Sequence, residues 1–585
     1  MKTKFLRVLL AMCCVLMLVT TFAATVSAHT FSKNNLYIVF NEPELTDYVW
    51  APLETVTATR QTPRYFIIET TSGGFKEELY ISFPAEGGFR LQSKHEYQMT
   101  VEVSNEGLLE PSSIAVIDYA TDNSGALIMK GSDGTVVRYQ KDGNGFLIEV
   151  LNSKQTRIIY LTNEQISFGH KKDGTVVRTM VEMPMQPDKE SIYNGSNRYC
   201  TPNVIGNHFS LTNKDCFSDV DYAYGNVPLF HSNRGYSLWF NMTYPGEANF
   251  ENLDLEKYTI TFDGDKLDFF LWTGTPLENV KKYTDITGTS GVTEEWTFGF
   301  WGGAGSAPLK TTYLENNVAN MQMILEGYKE HYNFYPEAFY GEGIDSAEAF
   351  AYCKQRGIKM MGWMRPACST TDIADFFPSF TSPTPVRDAA GNFISTGYPY
   401  VYSDLTFKET GNYVFSQPEW LDTSNPSFIE YVTNLWSKAW SWGLAGCMID
   451  MGENQTYKGM NFNGLSALEM HNFSSYYYAM NSNKAWTAAL GNDYVLYMRS
   501  GCAGSQYWSP NFQGDQVSTY EGFSAALYDM ISRGAGGFNL YGSDMGGYRS
   551  HPTKVEPLGD PVHLLAVYAH TRQRHPHAVG IRLCG

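Results

Sequence analysis

The sequence is short of positive charge: 43 lysines and arginines face 61 aspartates and glutamates, a formal net charge of −18. Nucleic-acid binding depends on basic surfaces that neutralise phosphates, so no nucleic-acid partner is expected. The sequence also lacks Cys-x-x-Cys and His-x-x-x-His pairs of the kind that hold zinc, so we expect no metal site. Beyond the N-terminus no apolar run is long enough to span a bilayer, so no stable membrane insertion is expected.

What the chain does contain is typical of a large folded protein. Its 585 residues exceed one ordinary domain, and 43% hydrophobic with 18% charged residues is a globular composition. Aromatic residues make up 15%. Flat aromatic rings stack on sugars, but tyrosine and phenylalanine are also common strand formers, so both interpretations stay open.

The N-terminus predicts a signal peptide over residues 1–28. Lys2, Lys4 and Arg7 precede an apolar stretch that ends near Ala24, and Val26-Ser27-Ala28 provides small residues for cleavage. The alternative is an uncleaved anchor. We therefore expect a secreted or cell-surface protein, in which Cys200 and Cys216 could pair as a disulfide.

Residues 29–285 predict an all-β sandwich. Short alternating segments such as Glu78-Leu-Tyr-Ile-Ser-Phe83 are separated by Asp-Gly pairs, among them Asp142-Gly143 and Asp263-Gly264. Such pairs are typical of the tight turns of β-hairpins.

Residues 286–585 predict a (β/α)8 barrel, because apolar strand-like runs alternate with helical patterns. Seven candidate strands are found, beginning with Trp296-Thr-Phe-Gly-Phe-Trp301 and ending with Gly537-Phe-Asn-Leu-Tyr541. We expect the fold class to be α/β, with the β-sandwich preceding a possibly incomplete TIM barrel.

Two aspartates are the strongest candidates for catalysis. Asp450 ends the apolar run Leu444-Ala-Gly-Cys-Met-Ile-Asp450, and Asp515 lies in Phe512-Gln-Gly-Asp-Gln516, shortly after Tyr497-Met-Arg-Ser-Gly501. In barrels of this kind, catalytic residues lie at the C-terminal ends of the strands. A pair of them can cleave an acetal, one attacking the sugar and the other protonating the leaving oxygen.

Four short stretches carry a family resemblance. They are Ile449-Asp-Met-Gly-Glu453, Arg499-Ser-Gly-Cys-Ala-Gly-Ser505, Gly514-Asp-Gln516 and Gly542-Ser-Asp-Met-Gly-Gly-Tyr548. In order and spacing, the chain from residue 296 to about 548 resembles glycoside hydrolase family 31, which includes α-glucosidases, α-xylosidases and sulfoquinovosidases. A sandwich before the barrel is also similar to the family's architecture.

The resemblance implies that Asp450 is the nucleophile and Asp515 the general acid and base. It also implies that Arg499 hydrogen-bonds sugar hydroxyls. Each residue has a simpler interpretation: Asp450 as a helix cap, Asp515 as a turn residue, and Arg499 as an ion-pair partner of Asp450 or Glu453. The chemistry needs no cofactor, and none is expected.

Several further residues are candidates for substrate binding. Glu453 and Asp544 stand within the family motifs, and Glu342 follows the second strand. Trp301 and Trp363 are candidate stacking platforms, as is Trp508; the alternative is that these indoles belong to the core. The expected partner is an oligosaccharide, polysaccharide or glycoconjugate.

The chain departs from the family pattern in two places. After the second strand, Tyr340-Gly-Glu-Gly343 runs almost directly into the next helix, so the sugar cannot be inferred. Residues after about 554 match nothing in the family, and we therefore expect the last barrel strand and the C-terminal β-domains to be missing.

The leading hypothesis is a secreted retaining α-glycoside hydrolase that removes a terminal α-linked sugar. One alternative is a catalytically silent carbohydrate-binding protein on the same scaffold. Another is an α-transglycosylase, which would use the same two carboxylates but pass the sugar to a second sugar.

Overall fold

The computed structural model describes residues 46–98, 113–196, 201–214, 223–291, 294–304, 317–341, 346–369, 386–387, 393–395, 418–453, 455, 461–516 and 520–544. The statements below concern these residues. The predicted signal peptide (1–28), both cysteines of the suggested disulfide (Cys200 and Cys216) and Glu342 lie outside them. No helix in the described ranges is long and apolar enough to cross a membrane.

The described residues before position 274 form nineteen strands, here called the N-terminal β-region. The strands are β1 (Val49–Pro52), β2 (Ala58–Gln61), β3 (Phe66–Ser72), β4 (Phe75–Ser82), β5 (Phe89–His95), β6 (Asp118–Thr121), β7 (Leu127–Lys130), β8 (Val136–Asp142), β9 (Gly145–Leu151), β10 (Arg157–Thr162), β11 (Ile166–His170), β12 (Val176–Pro184), β13 (Ile192–Asn194), β14 (His208–Ser210), β15 (Leu229–Ser232), β16 (Tyr236–Phe240), β17 (Gly246–Asn249), β18 (Lys257–Phe262) and β19 (Asp268–Thr273).

These strands form three antiparallel sheets. An eight-stranded sheet has the order β13-β15-β16-β19-β5-β4-β3-β2, and a six-stranded sheet has the order β1-β11-β12-β18-β17-β14. The third is the five-stranded meander β10-β9-β8-β7-β6. Apolar residues from all three sheets, such as Phe66, Val181 and Ile148, lie in one buried cluster. The predicted β-rich N-terminal region is confirmed.

The predicted turns have different outcomes. Asp142 pairs with Gly145 across the β8–β9 hairpin, where Gly143 has a φ of 56°, so this turn is confirmed. Asp263-Gly264 is not a hairpin, because β18 and β19 belong to different sheets. The Asp263 carboxylate accepts a hydrogen bond from Nε of Arg178 on β12, which holds the chain where it crosses between the sheets.

The remaining described residues contain eleven strands and six α-helices. The strands are β20 (Trp301–Ala304), β21 (Ala338–Gly341), β22 (Lys359–Met364), β23 (Ala367–Ser369), β24 (Val386–Arg387), β25 (Phe393–Ser395), β26 (Pro418–Trp420), β27 (Leu444–Ile449), β28 (Val495–Met498), β29 (Asn511–Phe512) and β30 (Tyr541–Gly542). The helices are α1 (Pro276–Thr287), α2 (Asn317–Tyr332), α3 (Ala347–Gln355), α4 (Ser427–Trp442), α5 (Ala467–Leu490) and α6 (Tyr520–Ala535).

Seven of these strands form one parallel sheet in the order β20-β21-β22-β27-β28-β29-β30. Helices follow most of them along the chain, as expected of βα units. Within the described residues no pairing joins β20 to β30, and an eighth strand is not among them. Seven parallel strands of the predicted barrel are therefore found, but a complete (β/α)8 barrel is not.

The outer strands of this sheet differ from the sequence-based prediction. Residues Glu295–Phe298 form a 3-10 turn, and β20 begins only at Trp301, the last residue of the predicted first strand. Similarly, β30 begins at Tyr541, where the predicted last strand ended. Alternating aromatic and small residues fit a strand and a tight turn equally well, so the pattern alone did not fix these bounds.

The two faces of the parallel sheet have separate surroundings. Cys447, Ile449 and Leu496 lie on the outer face in a buried cluster with residues of helices α2 to α5. Residues of the opposite parity, including Met448 and Tyr497, form a second cluster on the inner face. Because side chains alternate along a strand, the residues two positions after Met448 and Tyr497 also face the inner side, and there they form the candidate site.

Candidate active site

Asp450 stands at the end of β27, on the inner face of the sheet. Helix α4 ends at Trp442, and the capping residue Gly443, whose φ of 102° suits glycine, turns the chain into the strand. All six residues of β27 are buried. Met448 points to the inner cluster, so Asp450 two residues later continues the same side of the strand.

Three groups contact the Asp450 carboxylate. The backbone N–H of Met451 donates to Oδ1 at 2.8 Å, and Nε1 of Trp363 donates to Oδ2 at 3.0 Å. Nε of Arg499 lies 3.0 Å from Oδ1. Each contact holds the carboxylate in place through a donated N–H or a neighbouring positive charge.

The backbone directly after Asp450 is strained. Met451 has a φ of 60°, in the left-handed region that non-glycine residues rarely adopt. The next carbonyl, that of Gly452, accepts a hydrogen bond from the Ser474 hydroxyl of helix α5 at 3.2 Å, which holds the strained turn in place. Such strain is concentrated at functional sites.

Arg499 is buried at the end of β28, on the same face as Tyr497. The side-chain amide of Asn511 donates to the carbonyls of Met498 at 2.7 Å, Arg499 at 3.2 Å and Ser500 at 2.8 Å. One asparagine therefore fixes the backbone from which the arginine projects.

The Arg499 guanidinium contacts three carboxylates at once. Nη2 donates to Oε1 of Glu453, Nη1 donates to Oδ1 of Asp515 at 3.3 Å, and Nε faces Asp450. All four side chains are less than one-tenth exposed. We call these residues, Asp450, Glu453, Arg499 and Asp515, the Arg499 cluster.

Glu453 has a pKa well above the ordinary value for a glutamate. Burial, aided by the negative charge of Asp450, raises the pKa of Glu453 to about 7 against the opposing attraction of Arg499. With one positive charge among three carboxylates, a protonated Glu453 lowers the net negative charge of the cluster. The cluster therefore has a group that titrates near neutral pH.

This pKa predicts a pH dependence of stability. Between about pH 4.5, the ordinary value, and about pH 7, folded Glu453 keeps a proton that the unfolded chain has lost. The free energy of unfolding should therefore fall as the pH rises through this window. Glu453→Gln removes the titration, so urea unfolding should show the wild type losing stability relative to the variant from pH 5 to 7, after which their difference should stay constant.

The control for this prediction is Glu348→Gln, which neutralises an exposed glutamate in the first turn of α3. It should show no such trend. Parallel curves of unfolding free energy against pH for wild type and Glu453→Gln would contradict the raised pKa.

Asp515 is connected to the end of the neighbouring strand. The side-chain amide of Gln516, the next residue, donates to the Ser543 hydroxyl at 3.0 Å and to the main-chain carbonyl of Asp544. The Ser543 hydroxyl in turn donates to Oε1 of Gln513 at 2.9 Å. The loops after β29 and β30 are thus joined, and Asp544 lies beside this junction.

The three tryptophans have different positions. Trp363 lies on the inner face of β22 and binds Asp450 through its indole N–H, a contact that a stacking role did not anticipate. Trp301 opens β20, and its ring packs against Tyr497 with centroids 5.3 Å apart. Trp508 packs against the outer cluster with the helices, so the core interpretation holds for it.

Trp363→Phe should lower kcat by roughly tenfold to a hundredfold, since a hydrogen bond to a charged group contributes about 1.5–3 kcal/mol. KM should change little, because the bond is to the protein carboxylate. Initial-rate kinetics on an activated α-glycoside, the substrate class that the sequence resemblance implies, would measure both constants. Trp486→Phe, in a buried tryptophan of the outer cluster, is the matched control; equal losses in both variants would contradict the role of the Trp363 hydrogen bond.

Sequence reasoning missed two contributors to the site. Asn511 gives no signal, since asparagine is common in loops. Tyr224 comes from the N-terminal β-region, and its ring lies 4.5 Å from Cζ of Arg499. A contact between residues so far apart in the chain follows from tertiary structure, which strand periodicity does not reveal. Glu342, the remaining candidate, lies outside the described residues.

The parallel sheet, its outer helices and the carboxylates at the strand ends are the arrangement expected of an α/β barrel protein with its site at the C-terminal ends of the strands. Residues 303–564 match the model of the glycosyl hydrolases family 31 TIM-barrel domain. The resemblance read from the sequence is confirmed for this part of the chain, which matches the barrel domain of glycoside hydrolase family 31.

Two curated relatives are similar to this chain. An alpha-xylosidase from Emericella nidulans is 25% identical over 387 residues, which cover 62% of this chain and 46% of the relative. An isomaltosyltransferase from Sporosarcina globispora is 22% identical over 547 residues, covering 86% of this chain and 48% of the relative. The chain thus spans about half the length of each.

Solved structures show the same fold. The cycloalternan-forming enzyme from Listeria monocytogenes, solved with a pentasaccharide substrate, superposes with a TM-score of 0.70 at 17% identity over 86% of this chain and 49% of that one. A family 31 dextranase from Flavobacterium johnsoniae, solved with isomaltotriose, gives a TM-score of 0.70 at 14% identity over 86% of this chain and 62% of that one.

Proposed function

We propose that this protein is a retaining α-glycoside hydrolase, with Asp450 as nucleophile and Asp515 as general acid and base. One observation carries the proposal: a single buried guanidinium, that of Arg499, contacts both aspartates. In retaining enzymes the two catalytic carboxyl groups lie about 5–5.5 Å apart. Two carboxyl groups that contact one guanidinium also lie close together.

In the first step, a carboxylate oxygen of Asp450 attacks the anomeric carbon of the substrate. The bond from that carbon to the glycosidic oxygen breaks, and its electron pair goes to the oxygen. Asp515 gives its proton to the same oxygen, so the alcohol leaves neutral. The products of this step are a glycosyl ester on Asp450 and an ionised Asp515.

In the second step, water attacks the anomeric carbon of the ester. Asp515, now a base, takes a proton from the water, and the ester bond breaks to restore the Asp450 carboxylate. Two displacements at one carbon return the α-configuration.

Arg499 supports both steps from the protein side. Its charge balances part of the negative charge of the cluster, and its position holds Asp450 and Asp515 in fixed relation. Loss of the Glu453 proton near neutral pH makes the net charge of the Arg499 cluster more negative. These are roles of orientation and charge rather than of bond making.

A transglycosylase is the second candidate, and the comparisons favour its inclusion. One relative is an isomaltosyltransferase, and one structural neighbour is a cycloalternan-forming enzyme. The first step would be the same, and a sugar hydroxyl would replace water in the second. The third hypothesis, a catalytically silent carbohydrate-binding protein, would apply if no glycosidic bond is cleaved.

The test is a panel of aryl α-glycosides with gluco, galacto, xylo, N-acetylgalactosamino and sulfoquinovosyl groups. Release of the phenol with an α-configured first product, followed by NMR, would support the proposal. A β-configured product would contradict a retaining mechanism, and binding without release would favour the carbohydrate-binding protein. Products longer than the substrate would identify transfer.

A secreted or cell-surface location is part of the proposal. It is supported by the positive start, apolar stretch and small-residue cleavage site of residues 1–28.

A further inference from the structure

One side chain of the N-terminal β-region reaches the Arg499 cluster. Tyr224 is fully buried, and its ring lies 4.5 Å from Cζ of Arg499, within the distance of a cation–π contact. The same ring lies against Gly514, the residue before Asp515: a Cβ on Gly514 would fall 2.4 Å from Cε2 of Tyr224. Tyr224 thus touches both the arginine and the backbone of the proposed acid.

The backbone around Tyr224 is held to the barrel loops. Gly225, the next residue, forms a β-bridge with Gly501, two residues after Arg499. The side chain of Asn213 donates to the Gly501 carbonyl at 3.1 Å and accepts from the backbone N–H of Asn226 at 2.7 Å. These contacts place the tyrosine on a fixed segment rather than on a free loop.

Gly514 explains why the approach is so close. Its φ of 93° is in the left-handed region, and the missing Cβ leaves room for the ring. The chain therefore passes the tyrosine face immediately before it presents Asp515. A change in the ring would move this backbone and the guanidinium together.

We propose that Tyr224 is a positioning residue that sets the orientation of Arg499 and the path of the chain at Gly514, and so the relative placement of Asp450 and Asp515. The N-terminal β-region is then a part of the catalytic machinery rather than only a support. The kinetic part of this inference rests on the proposed function; its structural part does not.

The test compares Tyr224→Met, which fills the space without an aromatic face, with Tyr224→Phe, which keeps the face. The methionine variant loses the buried cation–π contact between the ring and Arg499. Its kcat should therefore fall roughly tenfold, with little change in KM. The acidic limb of its pH–rate profile should move to higher pH. The phenylalanine variant should keep the wild-type kcat and the wild-type acidic limb.

Tyr258→Met is the matched control, since Tyr258 is equally buried but lies in the core of the N-terminal β-region. It should lower the melting temperature without moving the pH profile. If Tyr224→Met does not fold, Tyr224→Leu takes its place. A Tyr224 variant that lacks the ring but keeps the wild-type kcat and pH profile would overturn the inference.

A crystal structure of the ringless variant gives a readout that does not depend on activity. We expect Nε of Arg499 to leave Asp450, or Nη1 to leave Asp515, from their present distances of 3.0 and 3.3 Å. Both contacts unchanged would overturn the inference. If the wild type cleaves no α-glycoside, the proposed function fails, yet this comparison still decides the role of Tyr224.

Discussion

Asp450→Ala is expected to reduce turnover of every α-glycoside by at least about 10⁴-fold, as loss of a nucleophile does in covalent catalysis. Without the carboxylate no glycosyl ester forms. Added azide should partly restore cleavage, because a small anion can occupy the vacated space and attack the anomeric carbon. A single displacement inverts the centre, so the product should be the β-glycosyl azide.

Asp515→Ala should behave differently with different leaving groups. A nitrophenolate leaves without a proton, so the first step survives, whereas an alkyl glycoside should be almost inert. Azide should then attack the accumulated ester and give the α-glycosyl azide. Opposite anomers from the two variants would assign the two roles, and NMR of the azide products distinguishes them.

Asp544→Ala is the matched control, since it removes a third aspartate from the end of a neighbouring strand. It should yield no glycosyl azide. The same azide anomer from the Asp450 and Asp515 variants, or turnover that survives Asp450→Ala, would contradict the assignment.

The second large effect is expected from Arg499→Met. Removal of the guanidinium leaves three buried carboxylates without their shared partner, and breaking a buried ion pair costs about 3–5 kcal/mol of unfolding free energy. Activity should fall by more than about 10²-fold, the loss typical of one preorganised electrostatic group. Arg499→Lys keeps the charge but not the fork that reaches three carboxylates, so it should regain stability more than activity.

Arg90→Met separates stability from catalysis. Arg90 is buried in the N-terminal β-region and donates to both oxygens of Asp268, with Nε 2.7 Å from Oδ1. Its loss should lower the unfolding free energy by a similar amount, measured by urea titration, but leave kcat of the folded fraction unchanged. An equal loss of kcat in the Arg90 and Arg499 variants would show that the Arg499 effect is only structural.

The strand pattern predicted much of the parallel sheet because period-two alternation is local. The series Met448 and Asp450 on β27, and Tyr497 and Arg499 on β28, follows from side chains alternating along buried strands. A carboxylate or guanidinium that follows the inner-facing residues of one strand therefore lies near the corresponding side chain of the adjacent strand. The roles of these residues remain proposals, as do the domain boundaries drawn from the sequence.

Periodicity fails where the backbone leaves the strand. Met451, with its positive φ, ends the alternation, so strand periodicity does not extend to Glu453. The ion pair of Arg499 with Glu453, one of the alternatives drawn from the sequence, is present. Tyr224 is more distant still, because its contact depends on how the N-terminal β-region meets the barrel loops. The hydrogen bond from the indole N–H of Trp363 to Asp450 was likewise not predicted, and stacking of its ring on a sugar stays a prediction.

The most direct measurement is mass spectrometry of the protein after reaction with a 5-fluoro α-glycosyl fluoride of the preferred sugar. The fluorine slows both steps, and the good leaving group lets the ester accumulate. The account predicts one added glycosyl group, located by peptide sequencing on Asp450. A label on any other side chain, or turnover with no ester under conditions where substrate is cleaved, would contradict it.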